Sequence, residues 1–166
     1  MTILFTDLEG FTTFVSRAED DEVWTLIQTY HALVREQMSR HSGFEVKQTG
    51  DGFMVAFASP KRAVQCAADI QRALAPQAQG HPGHHTRVRV GLNSGDAIRE
   101  GGDFFGHMVN IASRIADRAD GGQVLVSEAT RVLAGQVEGI RFEDTGRRRL
   151  RGLHRRHRLF EVVWWE

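Results

Sequence analysis

"VKQTGDGFMVAF", residues 46–57, reads as two short strands folded back on each other. "FEVKQ" and "FMVAFA" carry the apolar and β-branched residues of strands, and "TGDG" between them is a hairpin turn. Gly50 and Gly52 flank Asp51 at the tip, so the backbone has room to turn and a ligand has room to approach. Upstream, "TILFT" at residues 2–6 is a short apolar strand. Val23, Ile27, Tyr30, Val34 and Met38 then recur at helical spacing, ending near Ser42-Gly43. Downstream, Ala63, Ala67, Ile70 and Leu74 mark a second helix with a small-residue packing face. Residues 76–86, "PQAQGHPGHHT", read as a loop from their Pro, Gly and His content; His81, His84 and His85 read as its polar surface, since no acidic or Cys partner lies beside them, with Zn²⁺ binding or pH sensing near neutrality as the alternative.

"VRVGLNSG" alternates Val88, Val90 and Leu92 as a strand, and the segment to Glu100 is expected to turn back as its partner. A third helix is predicted from about Gly106 to Ala119, with Met108, Ala112 and Ile115 inward. After it come a strand at "QVLVS", a short helix capped by Ser127, and a strand pair around "IRFEDTG" and "HRLFEVVWW". This order of strand, helix, hairpin, helix, strand resembles an α+β, ferredoxin-like βαββαβ core with one helical face and additional C-terminal elements. A chain of 166 residues is long enough for one well-buried core and short for two, so residues 1–166 read as one domain.

Charge excludes some functions. Acidic and basic residues balance at 21 each, so nothing draws the whole chain to a nucleic-acid polymer or an anionic membrane. The single cysteine, Cys66, forms no internal disulfide, and no apolar run reaches the length of a membrane span. The chain therefore reads as cytoplasmic. Met1 leads straight into "TILFTD", which fits either a complete small protein or a module of a longer one.

"FTDLEGFT", residues 5–12, places Asp7 where the first strand ends. If that strand lies beside the hairpin, Asp7 and Asp51 reach one edge of the sheet. Paired carboxylates with no ring of His or Cys suit a hard cation such as Mg²⁺ or Mn²⁺. Taken singly, each also suits an ordinary role, Asp51 in the turn and Asp7 as a helix cap. The turn from Leu8 through Gly10, Phe11 and Thr12 can aim consecutive amides at an anion beside the cation. Asn110 and Arg114, four residues apart on the third helix, share a polar face and can act on one ligand together.

"LFTDLEGFT", "VKQTGDGFMVAF", "RVGLNSG", "DFFGHMVNIASRIAD", "GGQVLVSEAT" and "LRGL" occur in the order and approximate spacing of class III nucleotidyl cyclase catalytic domains, and the chain resembles that family, bacterial adenylyl cyclases above all, over nearly its whole length. The resemblance implies conversion of ATP to 3′,5′-cyclic AMP and pyrophosphate. It implies two divalent cations, Mg²⁺ or Mn²⁺, held by Asp7, Asp51 and the Leu8 carbonyl. Lys47 and Asp103 match the residues that read adenine, the first by donating to a ring nitrogen and the second by accepting from the amino group. Asn110 would position the ribose and Arg114 stabilise charge on the α-phosphate. Arg151 matches the basic residue that holds the terminal phosphates, although "RRRLRGLHRRHR" also reads as a solvated basic face. The family's arrangement further implies a head-to-tail homodimer. One chain would supply Asp7 and Asp51, and the other Lys47, Asp103, Asn110, Arg114 and Arg151. A guanylyl or relaxed-purine cyclase, and a dimerising module without turnover, are the alternatives.

Overall fold

Gly52 dictates how closely the hairpin docks. A Cβ at this position would fall 1.7 Å from the carbonyl oxygen of Thr6, so only glycine lets the start of β3 (Gly52–Phe57) lie against β1 (Thr2–Leu8). The computed structural model describes residues 1–80 and 87–166. In it β1 pairs antiparallel with β3 from Thr2↔Phe57 to Thr6↔Phe53, and β2 (Phe44–Thr49) pairs on the outer side of β3. On its other side β1 pairs antiparallel with β4 (Val88–Ser94), from Thr2↔Ser94 to Leu8↔Val88. The order β2-β3-β1-β4, with helices between β1 and β2 and between β3 and β4, is the predicted βαββαβ core. The sheet continues through β7 (Val124–Ser127), parallel to β4, then β9 (Arg156–Val163) and finally β8 (Arg141–Arg149).

Two helices stand where one was expected before the hairpin. α1 (Phe11–Arg17) is separated from α2 (Asp20–Arg40) by extended backbone at Ala18 and Glu19. Asp20, Asp21 and Glu22 open α2, where negative charge is favourable. Tyr30, Val34 and Met38 are buried as predicted, whereas Val23 and Ile27 are only half-buried and Leu26 takes the inward position. α2 and α3 (Pro60–Gly80) cover one face of the sheet, where Leu4, Leu8, Tyr30, Phe53, Phe57 and Ile70 form the main core. Each large side chain buried there contributes about 1.5–3 kcal/mol.

Three further expectations need correction. The loop expected from residue 76 is helical to Gly80, with Pro76 inside α3. Proline removes one amide and crowds one carbonyl, but this occurs in the last turns, among Ala and Gln residues that favour helix. The remainder of that loop, with His81, His84 and His85, lies outside the described residues. Second, the segment to Glu100 does not pair with β4, whose two edges are taken by β1 and β7. Instead β5 (Ile98–Glu100) pairs with β6 (Asp103–Phe105) in a separate two-stranded ribbon.

Third, the sheet has helices on both faces. α4 (His107–Arg118) lies across the face opposite α2 and α3, packing Met108 and Ala112 on Ile3, Met54 and Ala56. Its close approach rests on Gly91, where a Cβ would come within 2.2 Å of the Ala116 nitrogen. Ile111 and Ile115 continue this layer onto Leu125, Leu150 and Leu159. At the far end of β7, the Ser127 hydroxyl accepts from the Thr130 amide at 3.2 Å and caps α5 (Glu128–Ala134), as the sequence predicts.

Candidate active site

The alternation of β1 sends Leu4 and Leu8 into the main core and puts Asp7 on the α4 side, following Ile3 and Phe5. Asp51, at the hairpin tip, reaches the same place. Its Oδ2 accepts a hydrogen bond from the Leu8 amide at 3.0 Å. Burial and the neighbouring Asp7 carboxyl push Asp51 up from 3.8 to about 6, so the pair resists carrying two negative charges. The Arg89 guanidinium, opposite Asp7 in the β1–β4 register, bonds the Asp7 carboxylate. Its role was not anticipated, although Arg89 is the polar member of the alternating run that contains Val88 and Val90.

Behind the carboxylates, the Thr6 hydroxyl accepts from the Phe53 amide at 3.0 Å and meets the buried Tyr30 hydroxyl at 2.6 Å. These bonds tie β1, β3 and α2 together where Asp7 and Asp51 emerge. The donor set fits a hard divalent cation: two half-buried carboxylates and strand-end backbone, with no third His, Cys, Asp or Glu in the group among the described residues. Water and phosphate would complete the shell, the usual habit of Mg²⁺. A cavity of about 230 Å³ opens here, its walls including Asp7, Thr49, Ser113 and Asp117. Three residues after Asp7, Gly10 takes the left-handed conformation and starts α1 with no side-chain cap from the described residues. The early amides of Phe11 and Thr12 are thus left available, with Phe11 partly buried and Thr12 exposed.

Lys47 leaves the same hairpin for a different neighbour. Its ammonium bonds Asp103 Oδ2 at 2.9 Å, bridging β2 to β6 across 56 residues of sequence. That bond, helped by the Phe104 amide on the other carboxylate oxygen at 2.7 Å, holds the Asp103 carboxyl below its ordinary value. The Phe105 ring lies 6.0 Å from Lys47 Nζ, within cation–π reach.

Arg114 forms a third group. It lines a cavity of about 640 Å³ together with Arg151, which stands in the turn between β8 and β9. Arg114 bonds Asp117 at 3.2 Å, and its Nε is buried without a partner among the described residues. Asn110 is exposed one turn earlier on α4. Arg118, Arg149 and His154 also line this cavity and were not anticipated: the basic run around Arg151 has no internal contrast to single out Arg149 or His154, and Arg118 lies just past the end of the "DFFGHMVNIASRIAD" stretch. The Asp7 cavity and the Arg114 cavity share only Asp117. Within one chain the site residues therefore form three groups: Asp7 with Leu8 and Asp51, Lys47 with Asp103, and Arg114 with Arg151.

Comparison with known proteins adds an independent line. A model of the adenylate and guanylate cyclase catalytic domain matches residues 1–163. The chain is 34% identical over 154 residues to a putative adenylate cyclase 3 of Rhizobium meliloti, covering 92% of this chain and 26% of that protein. It is 30% identical over 165 residues to a pH-sensitive adenylate cyclase of Mycobacterium tuberculosis, covering 98% of this chain and 40% of that one. The chain thus spans well under half the length of these relatives. Among solved structures, an adenylate/guanylate cyclase/hydrolase from Silicibacter pomeroyi superposes with a TM-score of 0.86 at 29% identity, over 98% of this chain and 95% of that one. An adenylate cyclase of Trypanosoma brucei, solved in its monomeric state, gives 0.82 at 27%, over 97% and 86%.

Proposed function

The chain belongs to the adenylate and guanylate cyclase catalytic domain family, and from that premise we propose that it converts ATP to 3′,5′-cyclic AMP and pyrophosphate in the cytoplasm, at sites shared by two copies of the chain. The Lys47–Asp103 ion pair carries the choice of ATP. Adenine offers a ring-nitrogen acceptor and an amino donor, which match an ammonium and a carboxylate. Guanine presents a carbonyl oxygen where adenine has the amino group, and that oxygen would face the Asp103 carboxylate.

In the reaction the ribose 3′-oxygen loses its proton and attacks the α-phosphorus in line, while the bond to the bridging oxygen breaks and pyrophosphate leaves. Two divalent cations held by Asp7, Asp51 and the Leu8 carbonyl would lower the pKa of the attacking hydroxyl and offset phosphate charge. Asn110 orients the ribose. Arg114 presents a rigid, permanently charged fork to the α-phosphate, where negative charge accumulates. Arg151 holds the terminal phosphates, and the amides of Gly10, Phe11 and Thr12 face the same polyanion.

The division into three groups supports the shared site. Lys47 and Asp51 sit four residues apart on one hairpin yet engage different partners, so one nucleotide meets both kinds of residue when two chains pair head to tail. The purified chain is expected to form cyclic AMP from ATP, with little cyclic GMP from GTP, in Mn²⁺ or Mg²⁺. Preferential use of GTP would overturn the purine assignment, and no product from either nucleotide would overturn the activity.

A further inference from the structure

The cavity that holds Arg114 and Arg151 contains more positive charge than those two residues supply. Arg118 lies one turn beyond Arg114 on the same face of α4. Arg149 is two residues before Arg151, at the end of β8, and the buried Leu150 between them turns both outward to one side. His154 closes the wall. Among the described residues, four guanidinium groups thus surround one cavity of about 640 Å³ against a single carboxylate, Asp117, which bonds Arg114 alone. The side chains of Arg118, Arg149 and Arg151 make no hydrogen bond or ion pair with any described residue.

Like charges crowded around a cavity repel one another, and an isolated structural role would not favour the arrangement. A polyanion resolves it. The Arg114 and Arg151 roles belong to the proposed cyclase reaction, but Arg118, Arg149 and His154 have no counterpart in the residues that the family resemblance implies. We infer that Arg118 and Arg149, with His154 at the rim, form an additional subsite for condensed phosphate that retains pyrophosphate after cyclisation and makes it a tight competitive inhibitor. The inference rests on the proposed reaction for the source of the pyrophosphate, and on the cavity itself for the binding.

Calorimetric titration of the metal-free protein with sodium pyrophosphate tests the binding without any turnover. The unaltered protein is expected to bind it, with affinity falling steeply as salt is raised. Arg118→Gln and Arg149→Gln should each weaken binding about tenfold, the usual loss for one charge-assisted hydrogen bond. Arg148→Gln, altering a neighbour that alternates to the other side of β8, should bind as the parent does. Arg149→Lys should recover part of the loss. In the cyclase assay, the Arg149→Gln protein should need about tenfold more pyrophosphate for equal inhibition against ATP.

Absence of binding to the unaltered protein, or equal binding by all four variants, would overturn the subsite. Should pyrophosphate bind and the Arg118 and Arg149 variants lose it while no cyclic nucleotide forms, the subsite stands and the cyclase reading fails. Should cyclic AMP form with pyrophosphate inhibition unchanged in Arg149→Gln, the cyclase reading stands and the subsite fails.

Discussion

Replacing Gly52 with alanine is expected to damage this protein out of proportion to the single methyl group added. The new Cβ would sit 1.7 Å from the Thr6 carbonyl oxygen and 2.7 Å from its carbon. Both are backbone atoms in a strand paired on each side, so no side-chain rotation can relieve the contact. Overpacking a core usually costs about 1–3 kcal/mol, and a clash against fixed backbone belongs at the top of that range, about 3 kcal/mol. For a chain of this size each kcal/mol lowers Tm by about 2–4 °C, so a fall of about 6–12 °C is expected. Gly50→Ala is the control. Gly50, unlike Gly52, has positive φ, at 61°, but among the described residues no atom lies within 4 Å of its missing Cβ, so about 1 kcal/mol is expected. Guanidinium unfolding of both variants measures the difference. Because separation of β3 from β1 also displaces Asp51 from the Leu8 amide, cyclisation should fall further in Gly52→Ala than in Gly50→Ala. A Gly52→Ala protein no less stable than Gly50→Ala would refute the backbone-contact argument.

Purine choice should respond to Lys47→Glu combined with Asp103→Ser: ATP turnover falls tenfold or more, as expected on losing a charged hydrogen bond of about 1.5–3 kcal/mol, and unchanged ATP kinetics in a folded double variant would count against these residues reading adenine. Asp7→Asn and Asp51→Asn should each abolish measurable cyclisation at saturating Mn²⁺ while melting within a few degrees of the parent; near-normal turnover in either contradicts the metal assignment. In metal-free buffer, Asp51 should make the protein less stable as pH rises, because its carboxyl is raised from 3.8 to about 6 in the folded chain. Its contribution is complete below about pH 4 and lost through pH 6, with a ceiling of about 3 kcal/mol that solvent screening of a half-exposed group cuts to about 1 kcal/mol. Denaturant unfolding at pH 4 and pH 7.5 should therefore show the parent losing about 1 kcal/mol relative to Asp51→Asn, and parallel profiles would show that the carboxyl is not raised.

The hairpin was legible because its signals are local: two glycines around an aspartate, between two apolar runs. The α1–α2 break was not, since Ala18 and Glu19 carry no Gly or Pro to mark it. The β5–β6 ribbon was misread because Ile98, Arg99 and Glu100 are all exposed, leaving no alternation of burial to set their pairing. α4 announced its apolar face, but which side of the sheet receives it shows only in the packing, Gly91 against Ala116 and Met108 on Ile3 and Met54. At the site, Asn110 and Arg114 were visible through helical spacing alone. The Lys47–Asp103 pair spans 56 residues and was legible only through the family motifs, and the Arg89 contact to Asp7 needed the register of β1 on β4. Arg149 was hidden for the opposite reason, among too many similar neighbours, and Arg118 lies one residue past the end of the "DFFGHMVNIASRIAD" motif.

Whether two chains share each site is tested most directly by mixing two inactive proteins, Asp51→Ala and Arg114→Ala, under conditions that let subunits exchange. A mixed dimer then carries one doubly altered site and one intact site, so random pairing of equal amounts should restore about a quarter of the parent's cyclic AMP formation, by counting sites in a symmetric dimer. A mixture as inactive as its two components, with mixed dimers shown to be present, would contradict the shared site and place the whole reaction within one chain.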